Sequence, residues 1–274
     1  MRSSRSRLFA ITPLALALCA SPASAQTGGA PATPPKAAGP APKAADGHPD
    51  LSGVWWPGRD LQIRPLGSEP PAAPVAGGPR RPSFAGLYQP WALEKAKSLG
   101  DKDDPSLRCV PTAFGTLNAS LLDVGFVGQI VQTPKFVVFL TETYHGFRII
   151  PVDGRPHRDD VAPSYKGDEI GRWEGDTLVI DRVNFIATTW MSAEGVVSFH
   201  SDALHIVERY RRTDADTLVV DATIEDPKVL TKPWQVPTQT LKLAPFDQIM
   251  QIACSGVETA PLMEAAAKQK EEKK

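Results

Sequence analysis

Histidine, acidic and arginine side chains cluster at two places where acid–base chemistry could take place. Asp153, Arg155 and His157 alternate directly after a strand-like segment, and His200 follows about forty residues later. Histidine titrates near neutral pH, and an arginine can hold an anionic intermediate. We predict that these four side chains converge at one strand end. In an enzyme, His200 would be the base, Arg155 the anion holder and His157 the acid partner.

A second candidate is His145, which lies between Glu142 and Arg148 along the chain. These three residues could form an acid–base cluster, or they could be exposed polar residues of a hairpin turn. The five-residue spacing of His200 and His205 places them on opposite faces of a strand. We therefore expect no metal site at these histidines.

Motifs for cofactors and for well-known hydrolases do not occur in the sequence. It has no glycine-rich phosphate loop, no His-Glu-x-x-His, no Cys-x-x-Cys and no Gly-x-Ser-x-Gly. We expect no cofactor. The 30 Lys and Arg residues balance 31 Asp and Glu residues, which provides no electrostatic footprint for nucleic acid or an anionic membrane.

The first 25 residues have the pattern of a secretory signal peptide. Three arginines precede an apolar stretch over residues 8–20, and small residues at 23–25 supply a cleavage site. No later apolar stretch approaches about 18 residues, so no membrane association is expected after cleavage. The pattern predicts a periplasmic or secreted protein.

Composition divides the rest of the chain into three parts. Residues 26–47 are rich in Ala, Pro and Gly, which predicts a flexible tether. Residues 48–262 have the length and composition of a single domain. Residues 263–274 are charged and predict a flexible tail. Cys109 and Cys254 remain after signal cleavage, and an oxidising compartment favours a disulfide between them.

Short strand patterns dominate the predicted domain. Apolar residues alternate from residue 126 onwards, and the turns between these segments are built from Gly, Asp and Pro. One short helix is expected over Pro90–Leu99. We predict an all-β fold, either an up-and-down barrel of the lipocalin type or a β-sandwich, and we favour the barrel. Glu208 and Arg209 alternate along one strand, so one of them faces inward and requires a charged partner or a ligand.

Long motifs link the chain to other sequences. Pro49–Trp55 is PDLSGVW, Asp153–His157 is DGRPH, and Gly171–Ile180 is GRWEGDTLVI. The chain resembles a poorly characterised family of exported bacterial proteins that carry PDLSGVW, DGRxH and GRWEGDTLVV motifs, and the resemblance spans residues 49–255. It implies no established reaction, substrate or cofactor.

Two positions depart from that family pattern. Glu169 stands where a small, serine-like residue is expected, and Tyr165 where tryptophan is common. Glu169 adds an acid, so an activity shared by the family would be altered here.

Two functions remain open from the sequence. The first is a cofactor-independent acid–base enzyme, such as a lyase, isomerase or hydrolase, acting on a small organic or aromatic substrate. The second is a non-catalytic periplasmic binding protein for a small apolar or aromatic ligand. Titratable groups with shifted pKa values in a cavity would favour the enzyme, and a dry apolar cavity would favour the binding protein. The sequence leaves the substrate and the oligomeric state open.

Overall fold

The structure is a computed structural model that describes residues 39–58, 84–115, 119–123, 127–143, 146–192, 197–251 and 254. Nine strands and one α-helix form its main regular elements. The strands are β1 (Gly53–Trp56), β2 (Gly128–Gln132), β3 (Phe136–Thr141), β4 (Phe147–Pro151), β5 (Asp168–Glu174), β6 (Thr177–Val183), β7 (His205–Asp214), β8 (Thr217–Glu225) and β9 (Trp234–Leu243). Helix α1 is Pro90–Ser98, and short 3₁₀ helices span Phe84–Leu87, Asp101–Asp103 and Pro105–Arg108.

These helices and strands confirm most of the predicted ones. The proline in the first turn of α1 has its φ fixed near the helical value, which starts the helix where the sequence predicted it. Among the described helices, none has the length and apolar character needed to cross a membrane. The predicted signal peptide, the predicted tail and His145 lie outside the described residues.

The strands form one antiparallel sheet in the order β4-β3-β2-β1-β9-β8-β7-β6-β5. Strands that follow each other in sequence therefore pair, except β4 and β5, and β9 also pairs with β1. The sheet curls into a nearly closed up-and-down barrel because its two end strands, β4 and β5, face each other. This confirms the predicted all-β barrel with one short helix and excludes the sandwich.

The gap between β4 and β5, here called the seam, is where the barrel is not closed by a strand ladder in the described chain. Eight antiparallel pairings separate β4 from β5 around the sheet, so the two strands run in the same direction. The connection between them, residues 152–167, must therefore return along the length of the barrel. We call this connection the strap.

A layer of charged side chains separates two apolar cores inside the barrel. Along β7, Ile206 belongs to one core, Glu208 to the charged layer and Tyr210 to the other core. On the neighbouring strand β6, Ile180 packs in the same core as Tyr210, and Arg182 lies in the charged layer. The inward Glu208 agrees with the prediction that one charge of the Glu208–Arg209 pair faces the interior.

The end of the predicted tether belongs to the folded body. The amide of Ala215 donates to the carbonyl of Gly39 at 2.8 Å, and His48 stacks on Trp173 with ring centroids 4.4 Å apart. The tether prediction is therefore wrong for residues 39–47. Alanine and proline lack polar side chains, but their main chain still pairs with neighbouring turns.

A disulfide joins Cys109 to Cys254, with their Cα atoms 5.7 Å apart, as predicted. The sequence over residues 249–254 predicts a last strand, and this prediction is wrong where the chain is described, because residues 249–251 adopt no regular structure. The apolar alternation of this segment resembles a strand, but β9 already has both of its neighbours, β8 and β1.

Candidate functional site

A pocket of about 690 Å³ opens at the seam. Side chains from β4, β5 and the strap form its walls, and Asp123 contributes from the loop before β2. The incomplete closure of the barrel thus creates a concave site, and the strap covers one side of it. Concave sites with a few convergent polar groups are where small molecules bind.

Lys166 and Asp123 form a largely buried ion pair in this pocket. The Lys166 Nζ atom lies 3.0 Å from Asp123 Oδ2 and donates to the carbonyl of Thr112 at 2.7 Å. The Lys166 side chain keeps 20% of its surface exposed, whereas that of Asp123 keeps 1%. The Thr112 hydroxyl donates to Asp123 Oδ1 at 3.0 Å, which fixes the carboxylate.

The backbone around Lys166 is held by the barrel interior. Arg182 donates from Nη2 to the carbonyl of Lys166 at 2.9 Å. Gly167 has a φ of +80°, and a Cβ there would lie 2.5 Å from the carbonyl oxygen of Val183. Only glycine fits this close approach, so Gly167 fixes the backbone position from which the Lys166 side chain extends.

Burial lowers the pKa of the Lys166 amine below its ordinary value, because it removes water from the charged form. The guanidinium groups of Arg182 and Arg148 act in the same direction, and Asp123 opposes them. A larger neutral fraction of the amine is therefore present near neutral pH than for a lysine in water. A neutral amine can accept a proton or attack a carbon atom.

Asp123 has a left-handed backbone, with a φ of +49°, although it is not a glycine. Such a conformation is uncommon for residues other than glycine, and it occurs often at functional sites. Gly115 approaches this backbone so closely that a Cβ on Gly115 would lie 2.8 Å from the Asp123 carbonyl oxygen. The surrounding chain thus keeps Asp123 in this conformation.

Behind the ion pair lies the charged layer of the barrel. Arg148 bridges two carboxylates, with Nη2 lying 2.6 Å from Glu169 Oε2 and 3.1 Å from Glu208 Oε2. Arg182 donates from Nη1 to Glu208 Oε1 at 2.7 Å. Burial would raise the pKa of Glu208, but the two guanidinium groups outweigh it and hold that pKa at about 2. The layer therefore stays ionised across the physiological pH range.

Glu169 closes the seam ionically. It lies on β5 and its partner Arg148 lies on β4, so this pair joins the two strands that no ladder joins. A side chain as short as serine could not replace the carboxylate.

Apolar side chains form the rim of the pocket. Phe147 and Ile149 on β4 and Tyr165 on the strap are all exposed and line it. Three exposed large apolar residues around one opening provide a surface for the apolar part of a ligand.

No protein-family model, no curated protein and no solved structure matches this chain. The site is therefore interpreted from its own residues.

One of the four residues predicted to converge lies at the pocket wall. Arg155 lines the pocket and forms an ion pair with Asp153, with Nη2 and Oδ2 2.6 Å apart. The hydrogen bonds from Arg155 lower the pKa of Asp153 to about 2. Asp153 is thus the local partner of Arg155, as the alternating sequence indicated.

His157 lies on the outer face of the barrel, where Nδ1 is 2.9 Å from Asp168 Oδ2 and Nε2 is 3.0 Å from Asp181 Oδ1. Asp168 lines the pocket, so His157 contacts the wall of the site from outside.

The predicted convergence of His200 with Arg155 is wrong. Arg155 packs over the ring of Phe136, at the barrel end where β3 begins and β4 ends. His200 packs against Phe185 just beyond the end of β6, next to the start of β5. Because β4 and β5 run in the same direction, these positions lie at opposite ends of the barrel.

His200 is a core residue. Its Nε2 and the Thr189 hydroxyl lie 2.7 Å apart, and its Nδ1 lies 2.9 Å from the carbonyl oxygen of Ser201. Burial lowers the pKa of His200 below its ordinary value. The chain before His200 pairs with Trp190 through Phe199 rather than emerging at an open strand end, which explains the wrong prediction.

Sequence reasoning missed Lys166 and Asp123. Neither belongs to a chemical motif, and the loop and strap that bring them together are distant in sequence. In the described part of the chain, no group of three or more His, Cys, Asp or Glu residues is arranged to hold a metal ion.

Proposed function

We propose that this protein is an exported acid–base enzyme that acts on a small organic molecule in the seam pocket, as a lyase, isomerase or hydrolase. The observation that carries the proposal is the amine of Lys166, which lines the pocket beside Asp123 and has a lowered pKa. Perturbed titratable groups in a concave site are typical of catalytic residues.

Lys166 and Asp123 have different roles in the proton transfer. Lys166 in its neutral form accepts a proton from the substrate, and Asp123 at 3.0 Å stabilises the resulting ammonium group. The same ammonium then returns the proton to a different substrate atom in an isomerisation, or to the leaving group in an elimination. This chemistry requires only groups within hydrogen-bonding reach of the substrate.

The lining of the pocket suggests the class of substrate. Four basic side chains line it (Arg148, Arg155, Arg158 and Lys166) together with three acidic ones (Asp123, Asp168 and Glu169). The apolar rim accommodates an aliphatic or aromatic body, and the slight basic excess favours an acidic or developing anionic group. We therefore expect a small aromatic or aliphatic carboxylic acid.

The disulfide between Cys109 and Cys254 supports export, because disulfides persist in oxidising compartments. The signal pattern in the first 25 residues predicts the same destination. Both observations support a periplasmic or secreted location.

A second candidate is a non-catalytic binding protein, and the exposed rim of Phe147, Ile149 and Tyr165 favours it. Such a protein would bind an apolar or aromatic ligand at the rim without needing the amine of Lys166. The two functions therefore differ in what happens when Lys166 is removed.

The test follows a panel of small aromatic and aliphatic carboxylic acids by NMR, with saturation transfer for binding and product signals for turnover. We expect wild-type turnover of at least one compound, and a loss of about 10²–10⁴-fold in Lys166→Met with binding retained. Lys97→Met is the matched control, because Lys97 lies on the exposed helix α1 and pairs with Glu94. Binding without turnover would support the second candidate, and unchanged turnover in Lys166→Met would contradict the proposal.

A further inference from the structure

Acidic and imidazole groups alternate across four strands on the outer face of the barrel. His157 bridges Asp168 on β5 and Asp181 on β6, and Asp181 Oδ1 also lies 3.0 Å from Nε2 of His205 on β7. Nδ1 of His205 lies 3.6 Å from Glu225 Oε2 on β8. We call these five residues the acid–imidazole row. It begins at the pocket wall, because Asp168 lines the pocket.

The row fastens the middle of the strap. Backbone bonds to the barrel lie near the two ends of the strap, from Val152 to the carbonyl of Lys135 and between Ser164 and the chain after β6. In the described residues between these ends, His157 and Arg158 bond to β5 and β6, and Asn184 Nδ2 just beyond β6 donates to the carbonyl of Val161 at 3.0 Å. Arg158 donates its amide to Asp168 Oδ2 at 3.0 Å and its Nε to Oδ1 at 2.7 Å.

His157 donates hydrogen bonds to both of its carboxylate partners in only one protonation state. An imidazole with both nitrogens against carboxylates donates to both only when it carries two protons. A neutral ring donates to Asp168 or to Asp181, and the lone pair on its other nitrogen then faces the other carboxylate. The neutral ring thus keeps one hydrogen bond to a carboxylate and loses the other, so it holds the strap less tightly.

We infer that His157 is a positioning residue that holds the strap on β5 and β6 in a pH-dependent way, and so controls access to the seam pocket. The inference rests on the proposed function only in assigning the pocket as the site. It does not involve the amine of Lys166. Holding the strap keeps Arg155, Arg158 and Tyr165 at the pocket wall, where the substrate would bind.

The charged groups that face His157 determine whether a rise in pH tightens or loosens the strap. Burial would raise the pKa of Asp168, but hydrogen bonds from Arg158 and His157 lower it. The hydrogen bond from His205 lowers the pKa of Asp181, and the same bond raises the pKa of His205. The carboxylates therefore stay charged in mild acid, and the second proton that the two-carboxylate geometry needs on the imidazole is lost as pH rises. The strap is held most tightly in mild acid and loosens as pH rises.

The reporter for this device is the amide of Arg158, because its acceptor is Asp168. Hydrogen–deuterium exchange of the full chain is measured from pH 5.5 to 8.5, and each rate is divided by the intrinsic rate at that pH. We expect protection to fall about tenfold across this range in the wild type, which corresponds to one hydrogen bond to a charged group. In His157→Gln the protection should be low and independent of pH, since glutamine does not titrate.

His48→Gln is the matched control, because His48 stacks on Trp173 and takes no part in the row. It should keep the wild-type fall in protection. Asp181→Asn provides a second variant if His157→Gln does not fold, and it should also flatten the profile. A wild-type fall that persists in His157→Gln or in Asp181→Asn would overturn the inference. The exchange experiment contains no substrate, so a negative result would not contradict the acid–base proposal for Lys166. Failure of that proposal would likewise not change the exchange result.

Discussion

Arg182 donates to Glu208 Oε1 at 2.7 Å inside the barrel, and neither side chain exposes any surface. This pair lies between two apolar cores, where an uncompensated charge is costly. Arg182 also holds the backbone of Lys166, so the same residue links the stability of the barrel to the geometry of the pocket.

Replacing Glu208 by Gln should therefore destabilise the fold strongly. The substitution leaves the guanidinium groups of Arg148 and Arg182 without their shared carboxylate, and loss of one partner of a buried pair costs about 3–5 kcal/mol. Urea unfolding measures the change in the free energy of unfolding. Glu174→Gln is the control, because Glu174 forms its pairs with Arg172 and Arg209 on the surface and should have a small effect. Equal effects of the two substitutions would contradict the buried layer.

Acid should remove the contribution of the same residue. The pKa of Glu208 is about 2 in the folded protein and about 4.3 in an unfolded chain, so folding favours the charged form. Its contribution is present above the unfolded pKa and is lost as pH falls towards 2. Urea unfolding between pH 5 and pH 2 should show a smaller loss of stability in Glu208→Gln than in the wild type. Parallel curves for the two proteins would contradict this expectation.

Gly171 should tolerate no larger residue, because β5 approaches β4 most closely there. A Cβ on Gly171 would lie 2.8 Å from Val152 Cγ1 and 3.1 Å from Ile150 Cγ2. We expect Gly171→Ala to cost about 1–3 kcal/mol in thermal or urea unfolding, since overpacking forces neighbouring groups to move. Gly100→Ala should be close to neutral, because nothing lies within 4 Å of a Cβ at that position. A neutral Gly171→Ala would mean that the seam is wider than described.

Replacing His200 by Ala should affect stability rather than turnover. The substitution removes the bonds to Thr189 and Ser201 in the core, and we expect a loss of about 1–3 kcal/mol. Because the folded pKa of His200 is lowered, its contribution is present above about pH 6.5 and declines as pH falls and the unfolded chain binds a proton. Turnover of a substrate found in the NMR panel should stay within a few-fold of wild type. Loss of turnover in a folded variant would restore the sequence prediction.

The strands could be predicted because their signals are local. Phe136–Thr141 and Thr177–Ile180 are short apolar runs, and the Glu174-Gly175-Asp176 turn marks the hairpin between β5 and β6. The disulfide could also be predicted, since only two cysteines follow the predicted signal peptide. Local patterns do not show where the barrel closes. The seam depends on an odd number of strands and on the pairing of β9 with β1.

The site was predicted only in part, for the same reason. Asp153, Arg155 and His157 form one short segment, in which Arg155 lines the pocket, Asp153 pairs with Arg155, and His157 contacts Asp168 of the pocket wall. His200 was assigned to the same end because it was expected to begin a strand, but its segment packs into the core instead. Lys166 and Asp123 meet because the strap must return along the barrel, which no residue type or spacing near either of them indicates.

The central claim is that Lys166 is an amine with a lowered pKa in an accessible pocket. The most direct measurement is trace acetylation of Lys166 with acetic anhydride from pH 6 to pH 11, read by mass spectrometry, with the urea-unfolded chain as its own reference. The account predicts a midpoint for Lys166 below that of the unfolded chain, and a further decrease in Asp123→Asn, because the carboxylate that favours the charged form is lost. A native midpoint equal to or above the unfolded one would contradict the account.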